Sequence, residues 1–277
     1  MPNITLITDS NSDLPAIWAA QYNVKVVPSL LILEGQEYRD NVDITREEFY
    51  ARLPHLKKPP TTATPGAGDF EKLYRACGDV DIISIHVAAK LSGFYNAARV
   101  GAENSGARVT LIDSEQLTMG FGWQVLAAAE AIAAGKTVPE VVEAVTHTRQ
   151  RVKVFAMLDT LEYLRRSGRA SGFMAVMGNL LQFKPMLELK AGEVLPLARP
   201  RTRSKATEKL LETVVALGPL ERLAILYTTT PADAQTHADQ HAAHSATPPV
   251  LVNITSVIGT HIGPGAVGVA AVRAEKV

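Results

Sequence analysis

The sequence predicts an α/β fold in two parts: an N-terminal three-layer α/β/α domain with a mostly parallel sheet, residues 1–153, and a C-terminal α+β domain, residues 154–277. Three observations lead there. Short apolar runs alternate with helix-like segments as far as Lys153, the pattern of successive βαβ units. Two of those runs end alike, in Asp9-Ser10 and Asp113-Ser114. Beyond Lys153 the texture changes, and a hairpin signal at Ala191-Gly192 enters between strands and helices.

Taken in order, Ile4–Thr8 reads as a buried strand, followed by Asp9–Pro15, rich in helix-capping residue types. A helix to about Tyr22 and a strand Val24–Val27 complete the first unit, and Glu34-Gly35 turns a short hairpin between Leu31–Leu33 and Glu37–Tyr38. Thr45 and Glu48 form a capping box opening a helix to about Leu53. The proline-bracketed stretch Pro59–Gly66 reads as a loop carrying Thr61, Thr62 and Thr64. A helix near Asp69–Cys77, a strand Ile82–Ile85, a small-residue helix reaching Gly101 and a strand Val109–Ile112 follow. Helices Met119–Ala134 and Val138–Arg151 are parted by Gly135, the second opened by Thr137 and Glu140. The later part reads as strand Val154–Leu158, a short helix within Leu161–Arg169, the hairpin Met186–Leu189 with Val194–Leu197, and helix Ser204–Leu217. Strand Leu223–Tyr227, helix Pro231–Ser245, strand Val250–Ile254 and a last strand Val267–Arg273 complete it.

Composition excludes several function classes. Twenty-eight basic residues balance 28 acidic ones, so no overall field favours nucleic acid or an anionic membrane. No apolar run has the length of a spanning helix, and the start of the chain lacks an export signal. With a single cysteine, Cys77, the expected setting is the cytoplasm. No Gly-x-x-x-x-Gly-Lys-Ser/Thr or Gly-x-Ser-x-Gly motif occurs. His237, His241 and His244 share a helix face, but the segment lacks a zinc hydrolase's glutamate and reads as a solvated face rather than a metal site.

The informative stretch is Ile258–Gly268, one histidine among four glycines and a proline, read as a loop between strand-like runs. By itself it is either a tight turn or a place where backbone meets a ligand. Parallel sheets bind ligands beyond the carboxyl ends of their strands. Thr61, Thr62 and Ser92 fall on turns at element ends, where they either cap locally or, with His261, supply the donors a desolvated carboxylate needs. Arg169 and Arg201 either serve the rim of such a site or a partner, or lie on the solvated surface.

These residues stand in a familiar order. Thr8-Asp9-Ser10 with Asp13-Leu14-Pro15, Pro60-Thr61-Thr62 with Pro65, and Leu91-Ser92-Gly93 with Tyr95 come first. Asp113-Ser114 with Met119-Gly120, Leu161–Leu164 with Ser167-Gly168-Arg169, Lys184-Pro185 with Glu188, Arg201-Thr202, and His261–Gly265 follow. Over its whole length the chain resembles the DegV family of fatty-acid-binding proteins. The resemblance implies a pocket at the domain junction holding a long-chain fatty acid, with no cofactor and no catalytic residue. It implies a carboxylate held by Thr61, Thr62 and Ser92 near Gly93, beside the loop of His261 and Gly263, with Arg169 and Arg201 at the head-group end or a kinase interface. It also implies a partner, a separate fatty acid kinase that makes an acyl phosphate for phospholipid synthesis. Ala63, Ala88, Ala89 and Phe94 depart from the family's usual hydroxyl residues. The competing reading is an enzyme related to dihydroxyacetone kinase subunits that binds a small carbonyl compound at His261.

Overall fold

A computed structural model describes residues 3–177 and 183–275 of the chain. Met1, Pro2, Lys276 and Val277, the ends of the two predicted domains, lie outside the described residues. The N-terminal part runs β1 (Ile4–Asp9), α1 (Ala16–Gln21), β2 (Lys25–Val27), β3 (Leu30–Leu33), β4 (Gln36–Arg39), α2 (Arg46–Arg52), β5 (Thr61–Ala63), α3 (Ala67–Arg75), β6 (Asp81–His86), α4 (Phe94–Ser105), β7 (Arg108–Asp113), α5 (Thr118–Ala133) and α6 (Val138–Arg151). Then come β8 (Val152–Met157), α7 (Glu162–Ser167), α8 (Ser171–Met177), β9 (Met186–Lys190), β10 (Glu193–Ala198), α9 (Arg203–Val215), β11 (Leu220–Tyr227), α10 (Pro231–His241), β12 (Val250–Asn253), α11 (Ser256–Ile262) and β13 (Val267–Arg273).

Three sheets result. The βαβ pattern gives an all-parallel sheet in the order β2-β1-β6-β7, whose central strands read as continuous apolar runs because both faces are covered. The hairpin at Glu34-Gly35 forms as expected, but it recruits Thr61–Ala63 as a third strand, giving a separate antiparallel sheet β4-β3-β5. The segment read as a threonine loop is therefore a strand, with Thr62 opposite Leu31. A six-stranded mixed sheet, β10-β9-β8-β13-β11-β12, makes the later part.

Helix α5 explains how the large sheets come together. Its sequence, TMGFGWQVLAAAEAIA, is apolar around most of its circumference, which marks a helix buried on nearly every side over its first turns. Phe121, Val125, Ala128 and Ala129 pack into the core of the parallel sheet. Met119, Trp123 and Leu126 pack instead against Val152, Val154, Ala270 and Val272 of the six-stranded sheet. The Trp123 indole donates to the Ala270 carbonyl at 2.9 Å, so the ring's polar edge is satisfied on the far sheet. Gly120 and Gly122 let the helix approach: a Cβ on the first would collide with Val154, and on the second with the Ser12 carbonyl. The opposite face of the six-stranded sheet, Phe155 and Met157 with Val267 and Val269, is covered by α9 and α10 through Ala206, Leu210, Val214, Ala234 and Ala238.

The second difference from the sequence reading lies at Ser256–Ile262. Glycine-rich Ile258–Gly268 begins as helix α11, capped by Thr255 and ended by Gly263 at φ 78°. Gly259 does not loosen this helix. It gives room for the Tyr50 ring, which a Cβ there would strike.

Candidate functional site

A cavity of about 430 Å³ lies where the three sheets meet, within the range of small-molecule sites. One wall is the carboxyl end of the parallel sheet, with Asn11, Val87 and the Leu91–Phe94 segment. The facing wall is the inner face of the six-stranded sheet, with Val154, Ala156, Leu187, Leu189 and Leu226. Alternation along β8 sends Val154 and Ala156 inward and Phe155 and Met157 to the opposite core. Ala156 is paired across the sheet with Gly268, so the two smallest side groups available meet at one point of that wall. Helix α11 supplies Val257, Ile258, His261 and Ile262, and β5 supplies Thr62.

Several polar side chains interrupt this apolar lining. Thr62 Oγ1 lies 3.1 Å from His261 Nε2. Burial pushes His261 down to about 4, helped by the charge of Arg169, so the imidazole is neutral near pH 7 and offers one donor and one acceptor. Ser92 Oγ accepts the Phe94 amide at 3.4 Å, which leaves its own proton to donate elsewhere. Arg169 also lines the cavity, with its guanidinium anchored on the Ser167 carbonyl at 3.0 Å. Such a set suits an anionic head group, since charged partners give the stronger hydrogen bonds.

Of the sequence-predicted residues, the structure brings Thr62, Ser92, Gly93, Arg169 and His261 together on the cavity wall. Thr61 is not with them. Because residues 61–63 are a strand rather than a loop, Thr61 projects into an adjoining open cleft of about 720 Å³, beside Lys57, Lys58 and Arg166, which shares Thr62, Arg169 and His261 with the cavity. Gly263 is not a lining residue either. It ends α11 with a positive φ and sits against the Tyr163 ring, where a side chain has no space. Arg201 is exposed and stacks over Phe183 at 5.9 Å from the ring centroid, away from the cavity and the cleft.

Sequence reasoning missed Asn11, Ser29, Thr64 and Thr118, all on the cavity wall. The polar run after β1 was a signal, read only as capping. Its carboxylate, Asp9, is wholly buried and accepts four hydrogen bonds, from the Asn11 amide and side chain, His86 Nδ1 and the Val87 amide, at 2.8–3.0 Å. That network fixes Asn11, which also donates to Ser29.

The helical histidines are a further correction. His237 and His241 are 1% and 0% exposed, because α10 turns the face Ala234, His237, Ala238, His241 onto the six-stranded sheet. Only His244 is exposed. The i, i+3, i+4, i+7 spacing of alanine and histidine was the available sign of an inner face. No group of three or more His, Cys, Asp or Glu side chains among the described residues is arranged to hold a metal.

These imidazoles set a pH dependence of stability. Burial first, and the neighbouring His237 and His244 second, push His241 down to about 4; burial lowers His237 as well. An unfolded histidine protonates below about 6.5. The unfolded chain therefore gains protons first on acidification, and stability is lost as the pH falls from about 6.5 toward 4. Asp13 works in the other direction: burial raises it to about 6, which favours the fold between about 6 and 4. His237, His241 and His261 together outweigh it. The expected result is a lower urea midpoint at pH 5 than at pH 7.5, with a flatter dependence in His241→Phe.

A mostly apolar cavity that carries a neutral imidazole, hydroxyls and one guanidinium is the kind of site whose chemistry suits an amphiphile. The chain belongs to the DegV family, whose model, described as an uncharacterised protein family, matches residues 3–274. It is 33% identical to a DegV domain-containing protein of Deinococcus radiodurans, covering 97% of this chain and 98% of that one. A Streptomyces coelicolor DegV domain-containing protein is 32% identical, with 96% and 97% covered. Among solved structures, a DegV family protein from Thermus thermophilus described for its fatty acid binding is 33% identical, with a TM-score of 0.90 over 98% of this chain and all of that one. DegV of Bacillus subtilis, described as a fatty acid binding protein, is 27% identical with a TM-score of 0.87, over 99% of this chain and all of that one. No helix among the described residues is long and apolar enough to cross a membrane.

Proposed function

We propose that this protein binds a long-chain fatty acid in the cavity at the junction of two domains, residues 1–153 and 154–277, and presents its carboxylate to a separate fatty acid kinase. The observation that carries this reading is a mostly aliphatic cavity that Thr62, Ser92, Arg169 and His261 line with polar groups, Thr62 and His261 at hydrogen-bond distance from each other. Each methylene buried there contributes roughly 0.8 kcal/mol, so the tail supplies affinity. The hydroxyls and the neutral imidazole orient the carboxylate, and Arg169 offsets its charge. Thr61, in the adjoining cleft, stands beside the head group rather than under it. The protein acts as a carrier without cofactor or catalytic residue of its own, works in the cytoplasm on the way to phospholipid, and engages neither nucleic acid nor metal. The fatty acid binding described for the Thermus and Bacillus relatives supports the ligand class.

Two measurements test it. Mass spectrometry of an organic extract of the purified, denatured protein should return fatty acid in near-stoichiometric amount. A clean extract, together with refusal of added fatty acid and a small-ketone adduct on His261, would replace this reading with the small-carbonyl one. Second, Ser92→Ala and Thr62→Ala should each weaken fatty acid binding by about tenfold or more, the size of one hydrogen bond to a charged group. A matched fatty alcohol should lose much less, and equal losses for the two ligands would remove the carboxylate role.

A further inference from the structure

The Asp13-Leu14-Pro15 motif has no contact role among the head-group donors, yet Asp13 is 2% exposed and lies at the centre of a second buried polar cluster. Its Oδ1 accepts the Thr255 amide at 2.9 Å and pairs with Arg46 Nη2 at 3.0 Å, and its Oδ2 accepts the Thr118 hydroxyl at 2.6 Å. Asp40, 1% exposed, accepts the Thr255 hydroxyl at 2.5 Å. Arg46 also donates to the Asn253 carbonyl, and the Tyr50 hydroxyl donates to the Ile254 carbonyl at 3.0 Å. Residues 253–255 are thus gripped from four side chains lying more than 200 positions earlier, and these three residues lead directly into α11.

That cluster is too expensive to be incidental. Two carboxylates are buried and the guanidinium of Arg46 is mostly so, and Asp40 Oδ1 and Arg46 Nε have no hydrogen-bond partner. Asp13 and Thr118 both adopt left-handed backbone, at φ 52° and 47°, a conformation unfavourable for a side-chain-bearing residue and most of all for a β-branched one. Helix α11 is only seven residues long and makes few bonds of its own, so its position is set by what holds its ends and sides. At its other end stands His261, about 9 Å along the axis from Thr255. Tyr50, already bonded to Ile254, fills the notch left by Gly259 in the middle.

We propose that Asp13, Asp40, Arg46 and Thr255 are positioning residues: they clamp the start of α11 and thereby hold His261 at hydrogen-bond distance from Thr62. They touch no head group themselves. Thr118, which lines the cavity and bonds to Asp13, ties the same clamp to the mouth of α5. The proposal rests on the head-group role given above to Thr62 and His261, but the clamp can be tested without any ligand.

The test uses Thr255→Val, which removes the hydroxyl at nearly constant volume, and Thr255→Ser, which restores it. In ligand-free protein, the His261 imidazole resonance, assigned by its loss in His261→Gln, should shift in Thr255→Val and return to its wild-type position in Thr255→Ser. The ratio of fatty acid to fatty alcohol affinity should fall about tenfold in Thr255→Val and stay within twofold of wild type in Thr255→Ser. Should Thr255→Val not fold, Tyr50→Phe removes the neighbouring grip on Ile254 and should move the same resonance and ratio in the same direction. A merely structural role would lower the unfolding midpoint while leaving both readouts alone, and that result would overturn the proposal. A wild-type protein that does not distinguish acid from alcohol would sink the carboxylate reading instead, and the His261 resonance would then decide the clamp by itself.

Discussion

Ala156→Phe is expected to abolish useful ligand binding while leaving the fold intact. Ala156 stands on the cavity wall opposite Gly268, at the point where the six-stranded sheet presents least side chain. A benzyl group there enters existing empty space rather than a packed core, so no neighbour has to move far. It takes the place of part of the bound tail. Displacing about four methylenes forfeits about 3 kcal/mol, or roughly two hundredfold in Kd. Because the loss is in tail volume, fatty acid and fatty alcohol should weaken together, unlike the response of Ser92→Ala. Short chains that leave the wall untouched should retain most of their affinity. Titration with acids of graded length checks this. Unfolding in urea should show a midpoint equal to or above wild type, since the substitution fills a void. Undiminished binding of long chains would mean that the tail does not run along β8.

Gly259→Ala should strongly destabilise this protein. A Cβ at this position would lie within 3 Å of the Tyr50 ring, well inside contact distance. Tyr50 cannot simply rotate away. It is 7% exposed, packs against Phe49 and the core of the small antiparallel sheet, and bonds through its hydroxyl to the Ile254 carbonyl. Overpacking together with loss of that hydrogen bond costs about 3 kcal/mol, measurable as a lower urea midpoint at unchanged slope. Since α11 carries His261, the variant that remains folded should also lose acid-over-alcohol discrimination. Combining Gly259→Ala with Tyr50→Ala should be strongly non-additive, because the second change removes the obstacle created by the first. Additive losses would show that the glycine is required for some reason other than Tyr50.

The local elements were legible because local rules govern them. Capping boxes at Thr45 and Thr137 opened α2 and α6 as read, and Glu34-Gly35 and Ala191-Gly192 turned their hairpins. The alternation of strands and helices gave the parallel sheet, and the ordered motifs from Asp9 to Gly265 gave the family. Thr62, Ser92 and His261 were identifiable as a group by residue type and order, before any geometry joined them.

What the chain could not show locally were contacts made across long separations. Thr61–Ala63 has the composition of a loop, and it became a strand because the exposed edge of β3 offered backbone partners; both threonines then line the adjoining cleft, but only Thr62 reaches the cavity. Ile258–Gly268 has the composition of a turn, yet its first half is helical because Thr255, Asp13, Asp40 and Tyr50 hold it so. The alanine- and histidine-rich face of α10 looked solvated, and only packing against the six-stranded sheet buried it. By itself the sequence determined most of the elements, the family and several of the chemical types in the site. The tertiary structure decided which of those groups share one cavity, because side-chain direction and helix placement depend on partners that lie up to 242 residues away.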